Sequence, residues 1–242
     1  PLVVAAEALV ERGIVVVASA GNYGEFGNFY VTSPGNAPNI ITVGALDNAD
    51  TGCMSDDQVA AFSSRGPTLY DHYVKPDLLA PGFRVIASVS EHADLKDTVP
   101  EFIESCSTTS CYGKYFSLSG TSMAAAITSG AAVLMLSDDS SLNPATVKAR
   151  LMRSARKIHG DPIDIGAGAL DIAAALRENG FAATATSPRV FRLADQAGIV
   201  MQDTGALWGS DDWGAEHLFG NGYLWTDATV EANGYIWTDG GV

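Results

Sequence analysis

The sequence predicts an α/β domain layered on a mostly parallel sheet, and three observations lead there. The runs Ile14 to Ala20 and Ile40 to Leu46 are dominated by apolar residues, as strands are when both faces of a sheet are covered. Helix-patterned segments separate or follow such runs, which gives parallel strands joined by crossovers. A further apolar run, Phe116 to Leu118, passes straight into an alanine-rich helical segment with Ser122 at the junction. In sheets of this kind ligands sit beyond the carboxyl ends of strands, and both Asn22 and Ser122 fall just past a strand end.

Taken in order, Leu2, Ala6, Leu9 and Val10 share one helical face, and Gly13 stops that helix. The strand at 14–20 then ends in a glycine turn, Ala20-Gly21-Asn22, that carries an amide side chain. Val85 to Val89 reads as another covered strand. Residues 91–114 carry Glu91, Asp94, Asp97, Glu101 and Glu104 and form a surface insertion, a solvated excursion before it is a substrate-selecting loop. In the helix that starts near Ser122, Ile127, Ala131, Val133, Leu134 and Met135 leave almost no polar face. Ala124, Ala125, Gly130 and Ala132 allow close approach, so the helix is predicted to be buried. Its start presents unpaired N–H groups and the positive end of the dipole, which would stabilise negative charge developing beside Ser122. These residues alone serve equally well as a core helix in which Ser122 or Thr121 is only an N-cap.

Asn143 caps and Pro144 opens a helix that runs to about Lys157, where Arg150, Arg153, Arg156 and Lys157 complement the negative end of its dipole. Asp171 to Asn179 is a last short helix, ended by Gly180. Beyond it the composition changes, and Asn221-Gly222-Tyr223-Leu224-Trp225-Thr226-Asp227 recurs as Asn233-Gly234-Tyr235-Ile236-Trp237-Thr238-Asp239. Alternating aromatics with a glycine turn read as short strands or hairpins. The chain therefore divides into an α/β part over 1–180 and a C-terminal extension over 181–242 that carries the two repeats.

Composition narrows the function classes. With 242 residues and 47% hydrophobic content, the chain can bury one sizeable core. The net charge of −14, with only 14 Lys and Arg, argues against a nucleic-acid partner. No apolar run is long enough for a membrane span, and Glu7, Glu11 and Arg12 break the first segment as a signal peptide. Of the three cysteines, Cys106 and Cys111 could close a small disulfide or stay free, and Cys53 is left over; their spacing supports no metal site. The start at Pro1, inside a helix pattern, leads to the expectation that an N-terminal part is missing.

Several stretches, in this order, resemble the subtilisin-like serine peptidases, the subtilases. They are Val17-Ala18-Ser19-Ala20-Gly21-Asn22, then Phe62-Ser63-Ser64-Arg65-Gly66-Pro67, then Lys75-Pro76-Asp77-Leu78-Leu79-Ala80-Pro81-Gly82, and then Gly120-Thr121-Ser122-Met123-Ala124. Ser33-Pro34-Gly35-Asn36, Asn143-Pro144-Ala145 and Gly166-Ala167-Gly168 add to the likeness, which covers about residues 1 to 180. It implies a three-layer subtilisin-like fold and serine endopeptidase activity on polypeptides, in a secreted or extracellular protein without a cofactor. It also implies that Ser122 is the nucleophile and that Asn22 is the side-chain donor of the oxyanion hole, joined by the N–H of Ser122. The backbone at Ala20 and Gly21 is implied to line the primary specificity pocket. Ala126 and Ile127 depart from the family's usual proline and histidine, at helix positions where both are acceptable.

A serine hydroxyl is a weak nucleophile until a base takes its proton, and that base needs a partner to hold its tautomer. In subtilases the order is Asp, His, Ser, and neither the Asp nor the His segment stands upstream of Ser122. His72, His92, His159 and His217 lack the flanking pattern and read as surface residues. Asp203-Thr204-Gly205 spells the family's acid motif, but after the serine and with no histidine segment following, so it is taken as coincidence. The chain is thus expected to be inactive alone and to need the N-terminal part of the same domain as its partner. Two other readings stay open. An α/β-hydrolase esterase would want glycine where Ala124 stands. A non-catalytic pseudoenzyme would use the aromatic repeats as a binding module.

Overall fold

The computed structural model describes residues 1–104, 114–192, 199–202 and 229–230. Both aromatic repeats, Cys106, Cys111, Asp203 and His217 lie outside those residues. The elements in chain order are α1 (Leu2–Glu11), β1 (Val17–Ser19), β2 (Ile41–Asp47), β3 (Gln58–Val59), β4 (Leu78–Pro81), β5 (Val85–Ser88), α2 (Leu95–Thr98) and β6 (Tyr115–Leu118). They continue with α3 (Thr121–Asp138), α4 (Pro144–Ser154), α5 (Pro162–Ile165), α6 (Ile172–Arg177), β7 (Arg189–Arg192), β8 (Ile199–Gln202) and β9 (Thr229–Val230). No helix among the described residues is long and apolar enough to cross a membrane.

β2 is the spine of the main sheet. Val17 to Ser19 run parallel to it opposite Ile41 to Val43, and Leu78 to Pro81 run parallel to it opposite Val43 to Leu46. β3 pairs antiparallel with its far end, through Val59 and Gln58. Six of the seven β2 residues are buried, which is why the sequence there is apolar on both faces. Alternation along the strands then assigns the layers. Ile41, Val43, Leu78 and Ala80 pack with Ala124, Ala131 and Met135 of α3 and with Val147, Leu151 and Met152 of α4. Leu46 and Leu79 face the other way, onto Ile158, Ile165 and Ala169. On that side Ala6 of α1 packs with Ala18, Ala37 and Ile40. Ala182, Ala185 and Val190 join the same cluster as α3 and α4, so apolar packing continues past α6.

Three expectations are corrected. The connections between the parallel strands, 20–40 and 48–77, contain no α-helix; the layers are supplied by α1, α3 and α4 instead. β5 is not a covered strand of the parallel sheet. It forms an antiparallel two-stranded sheet with β6, Val85 opposite Leu118 to Ser88 opposite Tyr115, and three of its four residues are exposed. β4 does belong to the parallel sheet, although Pro76 and Pro81 bracket it and make the stretch look like a loop. Finally, α3 is buried on one side only. Ala126, Gly130, Val133 and Leu134 are exposed, Val133 at 64% and Leu134 at 50%.

The helix ends follow from local chemistry. Gly13 turns the chain out of α1 with φ +83°, a conformation that suits a residue without Cβ. The Asn143 side chain accepts the N–H of Thr146 at 2.7 Å, with Pro144 in the first turn of α4. α4 stops at Ser154, three residues before Lys157, because Arg156 leaves the helix to bridge Ala169 in both directions, at 2.8 and 2.9 Å. The basic residues there have specific partners beyond the helix dipole. Arg153 pairs with Glu178 at 3.3 Å, Arg156 with Asp57, and Arg150 Nε donates to the carbonyl of Gly180 at 3.0 Å.

Candidate active site

Two loops meet at the start of α3. After β1 the chain passes Ala20 and turns at Gly21, whose φ of +111° lies in the left-handed region. A Cβ on Gly21 would stand 2.8 Å from Ser64 Oγ and 2.9 Å from Thr32 Oγ1, so the turn needs glycine for space as well as for conformation. The second loop is fixed from β2 and β4. Gly82 N–H donates to the carbonyl of Leu46 at 3.0 Å, and the Gly82 carbonyl accepts the N–H of Gly120 at 2.7 Å. A Cβ at Gly82 would approach Ala45 Cβ to 2.6 Å, closer than packed side chains allow. Gly82→Ala is therefore expected to destabilise the fold by about 1–3 kcal/mol, read as a lower Tm in thermal unfolding. An unchanged Tm would mean that the strand end can shift without consequence.

Between these loops, one threonine ties the site together. Thr121 N–H donates to Asn22 Oδ1 at 2.9 Å, and the Thr121 hydroxyl donates to the same oxygen, also at 2.9 Å. The Thr121 hydroxyl in turn accepts Gly21 N–H at 3.2 Å. A backbone N–H can only donate, so it fixes which end of the Asn22 amide faces inward. Oδ1 is held against the helix start, and Nδ2 is left over as a donor, 3.4 Å from where a Cβ on Gly120 would stand. Asn22 thereby satisfies the first orphan N–H of α3 from 99 residues away in the chain. The next N–H, on Ser122, takes no acceptor among the described residues. Met123 N–H folds back to the carbonyl of Gly120 at 3.1 Å.

Ser122 and Asn22 are both exposed, whereas Thr121 between them is 1% exposed. The two side chains singled out in the sequence thus lie at one solvent-facing point, bridged by a buried residue. Two donors that lack protein acceptors, Ser122 N–H and Asn22 Nδ2, and one hydroxyl share the positive end of an 18-residue helix. Such an arrangement can receive an oxygen that gains negative charge. The backbone of Ala20 and Gly21 is already engaged. Ala20 N–H goes to Val43 O and its carbonyl accepts Thr32 N–H, while the Gly21 carbonyl accepts Ser64 N–H, each at 2.9 Å. What those two residues can offer a ligand is shape.

Thr121 was visible in the sequence only as a possible cap, although its position directly before Ser122 was the available signal. No histidine among the described residues hydrogen-bonds Ser122. His92 and His159 are exposed as expected, but His72 is half-buried, with its ring 6.3 Å from that of Phe29 and its carbonyl accepting Val190 N–H. Cys53 is exposed and free. No group of three or more His, Cys, Asp or Glu that could hold a metal ion occurs among the described residues.

A second polar cluster lies inside the fold. Asp77, Lys75 and Lys148 are all 0% exposed. Asp77 Oδ2 receives Lys75 Nζ at 2.7 Å and Thr42 N–H at 2.7 Å, and Oδ1 receives Lys148 Nζ at 3.2 Å and the Ser187 hydroxyl at 2.6 Å. Burial pulls both lysines below the usual ammonium range, Lys148 to about 7, and the Asp77 charge only partly offsets this. The two ammonium groups outweigh the cost of burying Asp77 and hold its carboxyl below the usual range. Lys148 lies 2.8 Å from the Ser187 hydroxyl, but neither reaches solvent, so the pair is structural.

Residues 4–193 match the subtilase family, Peptidase S8. Serine protease AprX of Bacillus subtilis (strain 168) is 42% identical over 173 residues, covering 71% of this chain and 37% of that protein. Subtilisin DY of Bacillus licheniformis is 32% identical over 164 residues, covering 67% of this chain and 47% of it. Among solved structures, fervidolysin from Fervidobacterium pennivorans, a keratinolytic enzyme related to subtilisin, superposes with TM-score 0.52 at 27% identity, over 78% of this chain and 24% of that one. The patellamide maturation protease PatA gives TM-score 0.52 at 26% identity, over 72% and 54%. The chain spans less than half the length of each of these two curated relatives. With the ordered motifs, the layered parallel sheet and the match over residues 4–193, this chain belongs to the subtilase family of serine peptidases and has the subtilisin-like fold.

Proposed function

We propose that this chain supplies the nucleophile and the oxyanion hole of a serine endopeptidase that cleaves polypeptides outside the cell. Ser122 Oγ bonds to the carbonyl carbon of the scissile peptide, and its proton passes to a histidine that an aspartate orients. The carbonyl oxygen becomes an oxyanion facing Ser122 N–H and Asn22 Nδ2. Collapse of the tetrahedral species breaks the C–N bond, and the leaving amine takes the proton; water then adds to the acyl ester, its proton passing through the histidine to Ser122 Oγ as the C–O bond breaks and the acid leaves. Ala20 and Gly21 form one wall of the primary specificity pocket. The histidine and aspartate come from a segment N-terminal to this chain in the same domain, and without them the chain is inactive. Residues 1–180 form the peptidase part and 181–242 its extension.

The observation that carries this reading is the Thr121 clamp, which leaves the Asn22 amide with its donor end free beside the Ser122 N–H. The exposed apolar stripe of α3, Ala126, Gly130, Val133 and Leu134, is a face on which a further segment of such a domain would pack. The test is kinetics on the longest polypeptide that contains this chain. Asn22→Ala is expected to lower kcat about 10²–10³-fold with little change in KM, a range taken from subtilisin itself rather than derived from this chain. Thr121→Val keeps the shape but removes the hydroxyl, and about 1–1.5 kcal/mol of orientation, roughly tenfold in kcat, should go with it. Thr121→Ser should restore most of that loss. If Asn22→Ala stays within about twofold of the parent, the amide is not an oxyanion donor.

A further inference from the structure

The Lys75-Pro76-Asp77 stretch stands out in the sequence, yet nothing in the proposed chemistry uses it. Its charges do not balance: two lysines share one carboxylate, and all three are fully buried. Besides the Thr42 N–H on Asp77, the remaining partners of the cluster are carbonyls and one hydroxyl. Lys75 Nζ donates to Ile40 O at 3.2 Å, and Lys148 Nζ donates to Pro38 O at 2.8 Å and to Ser187 Oγ at 2.8 Å. Ser187 comes from the segment that leaves α6 and leads into β7, and its N–H also donates to Pro38 O at 2.9 Å. The neighbouring contacts of that segment are Val74 N–H to Pro188 O at 2.7 Å, Val190 N–H to His72 O at 3.0 Å, Thr186 Oγ1 to Asn39 Oδ1 at 2.7 Å and Arg189 Nε to Asp71 O at 2.9 Å. Only Ser187 reaches the buried charges.

We propose that the Lys75–Asp77–Lys148 cluster is a latch on Ser187 that fastens the C-terminal segment to the α/β core and tightens as pH rises above neutrality. The charged groups facing Lys148 are Lys75 and Asp77 from the β4 approach and Glu7 from α1, whose carboxylate is held by Asn39 at 2.6 and 2.9 Å. When both lysines are protonated, the closed latch buries one uncompensated positive charge. Opening it gives Lys148 water and restores its ordinary basicity. Lys148 titrates at about 7 when closed and at 10.5 when free, so between those values the open form holds one more proton. Opening therefore becomes harder as pH rises through that window, and below about 7 the pH dependence from Lys148 disappears. Lys75, also lowered by burial, acts in the same direction.

Hydrogen exchange of the chain, followed by mass spectrometry on a peptide spanning 181–192 and corrected for intrinsic rates, tests this between pH 6 and 9.5. The protection factor of that peptide is expected to be level near pH 6 and to rise above pH 7, by up to about tenfold per pH unit. In Lys148→Met the protection should persist while its pH dependence shrinks. Ser187→Ala, which removes only the buried hydroxyl, should lower protection about tenfold or more at pH 9 with the rest of the map unchanged. A pH-independent wild-type peptide would overturn the latch, as would an undiminished pH dependence in Lys148→Met. An equal rise in a β2 peptide would place the effect on the whole fold and overturn it too.

Discussion

Ser122→Ala, in a polypeptide that carries this chain together with its histidine and aspartate, is expected to lower kcat about a millionfold, a magnitude taken from subtilisin rather than derived from this chain. The reason is that no neighbouring group can take over the attack. Thr121, the adjacent hydroxyl, is 1% exposed and already donates to Asn22 Oδ1 while accepting from Gly21. The loss should not add to that of Asn22→Ala, because the oxyanion donor matters only once a nucleophile has created the oxyanion. Because no histidine among the described residues reaches Ser122, this chain by itself should show no turnover above background with a fluorogenic peptide. Robust cleavage by the chain alone that survives Ser122→Ala would show that a different group performs the chemistry. Cleavage by the chain alone that Ser122→Ala abolishes would show a base within these residues.

Asp77→Asn should be the most damaging single change to stability. It removes the only negative group at the centre of a fully buried cluster and leaves two ammonium groups facing each other. Breaking a buried pair from one side costs about 3–5 kcal/mol, which for a chain of this size is roughly 10 °C in Tm. The pH dependence identifies the cause. Without the Asp77 charge that holds protons on the lysines, the folded variant binds fewer protons than the parent, so its deficit should shrink as pH rises through about 7, where Lys148 of the parent loses its own proton. Urea unfolding at pH 5.5, 7 and 8.5 measures both quantities. A deficit under about 1 kcal/mol at pH 7 would mean that the cluster is hydrated or rearranges.

Much of this was legible from residue order. The glycine turn before Asn22 and the serine at a strand-to-helix junction are local patterns, and the family resemblance rests on such segments. The sheet was less legible. β4 is bracketed by two prolines, and proline signals a loop unless long-range pairing to β2 is already known. β5 carries Val85 and Ile86, letters that fit a covered strand equally well, and only its partner β6 shows that it stands outside the main sheet. The periodicity of α3 could not reveal its exposed stripe, because a helix apolar on every side gives no sign of which side is covered. Nothing local marks Lys148 for burial, since it stands on a helix with basic neighbours. Its burial depends on Asp77 and Ser187, 71 and 39 positions away.

The Asn22 amide takes its orientation from a residue synthesised 99 positions later. At ribosomal speeds of about 5–20 residues per second, some seconds separate the appearance of the two on a nascent chain. Throughout that interval the amide lacks this anchor, so which of its ends faces inward is settled only when the α3 segment docks against the turn at Gly21.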